Sequence, residues 1–183
     1  MPKIVKRDLN DGALNVKLSQ IELLVCDVDG VLTDGGIYIL EESELKRFHV
    51  TDGLAQRAAQ KVGLKIAWVT ARPSKVTEKR AKELDTDFLV QTKHGKVPAV
   101  DKIRSELGLV WADVCFIGDD LVDLAVMKKV GVAVAPTNGC DEAKALAHYV
   151  TEKPGGKGAV RELIEKILKA QGKWGKVVAE IAR

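Results

Sequence analysis

The sequence predicts an α/β fold: a doubly wound parallel β-sheet with one projecting β-hairpin and no separate cap domain. Three observations carry this. From residue 22 onward, short β-branched apolar runs alternate with longer amphipathic segments, the signature of βαβ units. The 183 residues, 46% hydrophobic and 30% charged, suffice for one full-sized core and are too few for two. Two acidic turns directly follow predicted strands, at the edge where such sheets collect ligand-binding groups. Residues 1–183 therefore read as a single domain.

Residues 1–20 read as an N-terminal arm or short helix. Met1 to Asp8 carry charges with no apolar stretch behind them, unlike a secretion signal, and no run has the length of a membrane span. Predicted strands follow at Glu22–Asp27, Lys65–Thr70, Asp87–Val90, Val114–Gly118 and Val132–Ala135. Helical periodicity falls at Leu54–Val62, Ser74–Leu84, Val97–Leu107 and Leu121–Lys129, with a final helix over Ala159–Ala170. Two segments break the alternation. Residues 35–50 read as a hairpin, with Ile37–Leu40 and Leu45–Phe48 joined by the polar run 41–44. Residues 152–158 form a Pro/Gly-rich loop; its Gly155-Gly156-Lys157-Gly158 lacks the features of a phosphate-binding P-loop.

Composition narrows the function. Aromatics are 4%, so Val, Leu, Ile and Ala must build the core. Lys and Arg number 29 against 26 Asp and Glu, a net +3 with both signs interspersed, which argues against nucleic acid as a partner. Cys26, Cys115 and Cys140 have neither disulfide-framework nor zinc spacing, and Cys26 and Cys115 sit inside apolar runs. A reducing, cytoplasmic setting is the expectation, with no membrane partner.

The strand ends carry the chemistry. Strand one ends in Asp27-Val28-Asp29-Gly30, strand two in Thr70-Ala71-Arg72 and the fourth in Gly118-Asp119-Asp120. Four carboxylates converging on one crevice would repel; a hard cation with oxygen ligands removes the conflict, and magnesium suits carboxylates shared with phosphate and water. Alone, Asp-x-Asp-Gly is equally a simple turn. Lys96 alone reads as a solvated helix start, and Asp123 as either a surface acid or a brace for Lys96 one helical turn away. His49 and His94 have no spacing that would make a Ser or Cys triad.

Asp27-Val28-Asp29-Gly30-Val31-Leu32-Thr33 resembles the first motif of the haloacid dehalogenase superfamily of phosphatases. Thr70 matches the second motif, Lys96 the third, and residues 118–123 the fourth. Residues 34–38, 48–53 and 155–162 are most similar to the 3-deoxy-D-manno-octulosonate 8-phosphate phosphatase family. The resemblance spans roughly residues 23–171. It implies a Rossmann-like core and an aspartyl-phosphate mechanism. Asp27 is then the nucleophile, and Asp29 the acid that protonates the leaving alkoxide and later the base for water. Asp27, the Asp29 carbonyl and Asp119 hold magnesium, with Asp120 acting through water. Thr70 and Lys96 hold the phosphoryl oxygens. His49, Val50, Thr51, Asp52, Gly53, Arg57, Arg72 and Arg80, with Asp29 and Lys96, fall where the family binds its acid sugar.

Between Asp29 and Gly53 lie 23 residues, and between Thr70 and Lys96 lie 25, neither enough for a self-standing cap. The apolar residues of the hairpin exceed what a two-stranded ribbon buries. The resemblance implies a homotetramer in which a neighbouring subunit completes each site. Thr51 stands where the family commonly has arginine, so a phosphatase for a nine-carbon sialic-type acid is the alternative substrate reading. A non-catalytic regulatory oligomer is the alternative of another class.

Overall fold

The structure is a computed structural model describing residues 11–41 and 43–181. Residues 1–10 of the expected arm and Glu42 of the hairpin connection lie outside the described residues. The chain opens with α1 (Asp11–Ser19) and β1 (Leu23–Cys26), then the hairpin β2 (Tyr38–Ile39) and β3 (Glu44–Leu45). Next come α2 (Val50–Lys61), β4 (Lys65–Thr70), α3 (Lys75–Glu83), β5 (Phe88–Gln91) and α4 (Lys96–Glu106). The second half holds β6 (Val114–Ile117), α5 (Leu124–Met127), β7 (Val132–Ala135), α6 (Asp141–Leu146), β8 (Tyr149–Val150), α7 (Ala159–Ala170) and α8 (Trp174–Ile181).

Six strands form one sheet in the order β5-β4-β1-β6-β7-β8, with every neighbouring pair parallel. Chain order reverses on either side of β1, so the carboxyl ends of β1 and β6 flank the switch point where such folds bind ligands. The period-two alternation of each strand sorts its side chains onto opposite faces. Leu24, Cys26, Ile66, Trp68, Cys115, Ile117, Val132 and Val134 face one core, which α1, α2 and α7 cover. Leu23, Val25, Ala67, Val69, Val114, Phe116, Ala133 and Ala135 face the other, under α4, α5 and α6. Cys26 and Cys115 are free thiols within the first core, as the apolar runs around them implied.

Several elements differ from expectation for local reasons. The helix expected over 121–129 is a 3₁₀ turn at 121–123 followed by the four-residue α5. There the Asp120 and Asp123 carboxylates accept from the backbone N–H groups of residues 119–121, competing with α-helical bonding. Helix α2 starts at Val50 rather than Leu54, taking Gly53 into its first turn. A glycine disfavours a helix by about 1 kcal/mol. Here, though, the missing Cβ leaves room for the Arg80 guanidinium, one of whose nitrogens would lie 2.6 Å from it. The hairpin strands are only two residues each, pairing Tyr38 with Leu45 and Ile39 with Glu44. Elements α6, β8 and α8 had no counterpart in the sequence reading. The first two are six and two residues long, but α8 repeats Trp174, Val177, Val178 and Ile181 at helical spacing and was legible.

Candidate active site

The crevice is built where β1 and β6 end side by side. Asp27 follows β1, its N–H donating to the Ile117 carbonyl at 3.0 Å, and only 5% of the residue is exposed. The chain then turns tightly, with the Val28 carbonyl accepting from the N–H groups of Leu32 and Thr33, both at 3.0 Å. Gly30 makes the turn possible. Its φ is +94°, and a Cβ would lie 2.0 Å from an Asp119 carboxylate oxygen. The Pro/Gly loop before α7 locks this turn from behind: Asn138 Nδ2 donates to the Gly30 carbonyl at 3.0 Å, and the Gly155 N–H donates to Asn138 Oδ1 at 2.6 Å.

Lys96, the first residue of α4, is 3% exposed and ties the acids together. Its Nζ lies 2.6 Å from Asp27 Oδ1 and 2.6 Å from Asp123 Oδ1. Asp123 is fully buried, and its Oδ2 accepts from the Asp119 N–H at 3.0 Å and the Asp120 N–H at 3.3 Å. Both of its oxygens are thereby committed, which makes it a brace for the ammonium and for the acidic turn. Asp119 differs: its Oδ1 is buried without a hydrogen-bond partner among the described residues. Asp27, Asp119 and Asp123 each offer an oxygen, all within 4.8 Å of one another.

Electrostatics follow from this crowding. Burial, then the Asp123 charge, pushes Asp27 up to about 6 against the opposing pull of Lys96. Burial, then Asp27 and Asp123, pushes Asp119 up to about 8. For Lys96 burial works against the charged form, but Asp27 and Asp123 outweigh it and hold its pKa above the ordinary lysine value. The three carboxylates and single ammonium are short of positive charge. The orphaned Asp119 oxygen, the raised Asp119 and the hard oxygen donors fit a divalent cation such as magnesium.

The remaining predicted residues divide into those at the crevice and those turned elsewhere. Thr70 ends β4 at 2% exposure, its Oγ1 accepting from the Arg72 N–H at 3.2 Å. Asp29 stands at the mouth, its side chain 22% exposed. Asp120 is exposed and accepts from the Leu121 N–H at 2.7 Å. His49, Val50 and Thr51 open α2, with His49 Nδ1 and Thr51 Oγ1 2.7 Å apart. Arg80 lies over the Phe48 ring at 6.0 Å and packs on Gly53. Asp52 and Arg57 face other partners. Asp52 is buried and accepts from the Arg161 N–H at 2.7 Å, capping α7. Arg57 donates to the Leu84 carbonyl at 3.1 Å and pairs with Asp85, pinning α2 to the end of α3.

Three residues at this end of the sheet escaped the sequence reading. Lys46 pairs with Asp29, Glu44 pairs with Arg72 at 2.6 Å and with the Ser74 hydroxyl, and Asn138 braces the acidic turn. Glu44 falls in the polar hairpin connection and Lys46 in the second hairpin strand of the sequence reading, and neither position specifies a partner across the fold. Asn138-Gly139 reads as an ordinary turn.

A family model for haloacid dehalogenase-like hydrolases matches residues 88–163, the segment carrying Lys96, Asp119 and Asp123. The 3-deoxy-D-manno-octulosonate 8-phosphate phosphatase KdsC of Escherichia coli K12 is 40% identical over 158 residues, covering 86% of this chain and 84% of that protein. The chain belongs to the 3-deoxy-D-manno-octulosonate 8-phosphate phosphatase family. A crystal structure of the family's Moraxella catarrhalis member, in complex with magnesium, phosphate and KDO, superposes with a TM-score of 0.90. It is 38% identical and covers 94% of this chain and 99% of that one. The Yersinia pestis structure superposes at 0.86, with 40% identity and 88% coverage of each chain. The capless α/β architecture is thus the family's own. No helix among the described residues is long and apolar enough to cross a membrane.

Proposed function

We propose that this protein is a magnesium-dependent phosphatase that hydrolyses 3-deoxy-D-manno-octulosonate 8-phosphate to the free keto acid and inorganic phosphate. The observation that carries this is the buried Asp27–Lys96–Asp123 chain facing the unpartnered Asp119 oxygen, in a chain 40% identical to a phosphatase of that name. Asp27 attacks phosphorus, forming a carboxyl–phosphorus bond as the bond to the sugar oxygen breaks. Asp29 gives its proton to the departing alkoxide. A water molecule then attacks phosphorus, returns a proton to Asp29 and displaces the Asp27 carboxylate, releasing phosphate. Lys96 and the Thr70 hydroxyl stabilise the charge that gathers on the phosphoryl oxygens. The Asp27 carboxylate, the Asp29 carbonyl and Asp119 would hold magnesium, with Asp120 acting through water. When bound, the ion offsets the charge of the carboxylates and the phosphoryl group.

Arg72, half-exposed beside the crevice, and Arg80 are the cations for the sugar's carboxylate, with His49 and Thr51 at the α2 terminus for its hydroxyls. A homotetramer accounts for the hairpin, whose Tyr38, Ile39 and Leu45 are 67%, 82% and 56% exposed in the single chain. The buried free thiols Cys26 and Cys115 suit a reducing cytoplasm.

The test is phosphate release, with magnesium, from eight-carbon and nine-carbon keto-acid phosphates. The eight-carbon ester is expected to lead in kcat/KM by at least about 10-fold, and Asp27→Asn to lose at least about 1,000-fold. Preference for the nine-carbon ester would replace the substrate. An active Asp27→Asn would overturn the mechanism, and release from neither ester would favour the non-catalytic reading.

A further inference from the structure

The hairpin presents two unlike faces. Leu45, 56% exposed, shares a face with its cross-strand partner Tyr38, whereas Glu44 and Lys46 on either side of it turn to the opposite face. Lys46 reaches Asp29, with its Nζ 2.7 Å from Oδ1 and 3.0 Å from Oδ2, and lies 3.4 Å from the Thr77 hydroxyl oxygen of α3. Its side chain shows 0% exposure, while Asp29 keeps 22%. Among the described residues the ammonium donates to Asp29 Oδ2 and the Thr77 hydroxyl, and its only ion-pair partner is Asp29.

We propose that Lys46 is a positioning residue for the known reaction: it holds the Asp29 carboxyl group at the mouth of the crevice, so that docking of the hairpin and placement of the acid–base group are one event. The inference rests on Asp29 acting as acid and base. A buried ammonium is costly unless well paired, so the docked hairpin and the Asp29 orientation stabilise each other. Asp29 lies in the tight turn after β1, where Lys46 is the one ion-pair partner of its carboxylate among the described residues. Glu44 adds a second latch at 2.6 Å to Arg72, seating the same strand on the loop after β4. The hairpin thus contributes to its own chain's site, besides presenting an apolar face to a neighbour.

The test uses Lys46→Met, Asp29→Asn and the double variant in the full-length protein, assayed on the eight-carbon sugar phosphate and on p-nitrophenyl phosphate. A sugar alkoxide needs a proton as it departs and nitrophenolate does not, so loss of acid placement separates the two substrates. Lys46→Met should lower kcat on the sugar phosphate by about 100-fold with KM within about 3-fold, and still release one nitrophenolate per site in a fast burst. In the Asp29→Asn background the same substitution should cost less than about 2-fold more, since the group it positions is gone. The double variant buries no unpaired charge and keeps the test valid should Lys46→Met fold poorly. Loss of the nitrophenolate burst in step with the loss of kcat on the sugar phosphate, or a further loss of about 10-fold in the Asp29→Asn background, would overturn the positioning role. If Asp29→Asn itself lost only a few-fold on the sugar phosphate, the acid–base reading would fall instead.

Discussion

Asp123→Asn isolates the brace beneath Lys96 and the Asp119 turn. The carboxylate offers one oxygen to the Lys96 ammonium at 2.6 Å and the other to the N–H groups of Asp119 and Asp120 at 3.0 and 3.3 Å. An amide can satisfy only one side. With its oxygen on the backbone its NH₂ faces the ammonium, donor against donor; turned over, it faces two N–H groups instead. One unsatisfied buried side costs about 1–3 kcal/mol. Removing one partner of a buried ion pair costs about 3–5 kcal/mol, the lower end applying here because Lys96 keeps Asp27. These overlap, so the expected loss is about 3–5 kcal/mol, or about 10 °C in Tm for a chain of 183 residues. The kcat should fall by about 10- to 100-fold as Lys96 and the Asp119 turn lose their registration. Differential scanning calorimetry and phosphate release measure both, with Asp120→Asn as the neighbouring exposed control, expected to shift Tm by no more than about 2 °C. A folded Asp123→Asn protein with Tm within about 2 °C of the parent and unchanged kcat would show that the two-sided bracing carries neither stability nor activity.

Gly155→Ala would set a Cβ 1.8 Å from the Gly30 carbonyl oxygen and should cost about 3 kcal/mol or abolish folding. Gly172→Ala, at a φ of +68° but in open space, should cost only about 1 kcal/mol, and equal thermal shifts for the two would refute the packing argument. In metal-free protein, Asp27 at about 6 and Asp119 at about 8 hold protons that the unfolded chain, titrating near 3.8, releases. Folding therefore binds protons: this contribution is fully present below the unfolded value and is lost as pH rises through about 6 and about 8. Thermal midpoints in chelator should fall between about pH 5.5 and 8.5, and magnesium should raise Tm most at the alkaline end; a midpoint rising with pH would contradict the sign. Tyr38→Asp places a charge on the apolar outer face of the hairpin, so the variant should sediment as a smaller species while the parallel sheet stays folded; an unchanged sedimentation coefficient would remove the hairpin from the interface.

What could be read in the sequence was local. Alternating β-branched runs marked five of the six sheet strands, because burial on both faces leaves a strand few polar positions. The eight sheet positions on either face of β1, β4, β6 and β7 sort as period-two alternation requires. The two-residue β8 and the six-residue α6 are too short for either period to register. Asp27, Asp29 and Asp119 were conspicuous because several acids at strand ends make little structural sense without a cation. The pair of alternatives for Asp123 could not be separated in sequence, since a surface acid and a buried brace share the same helical spacing.

By itself, the sequence determined the parallel sheet, the acidic strand ends and the family, since each is written in contiguous residues or in spacing along one element. The tertiary structure alone decided which polar groups meet across distant segments. Only the folded chain turns Asp52 to the start of α7, Arg57 to the end of α3, Gly155 through Asn138 to Gly30, and Lys46 to Asp29. A carboxylate or ammonium on a half-polar segment is satisfied equally well by water or by any opposite charge. Chain topology selects the partner, by bringing one segment against another and excluding the water that would otherwise have served.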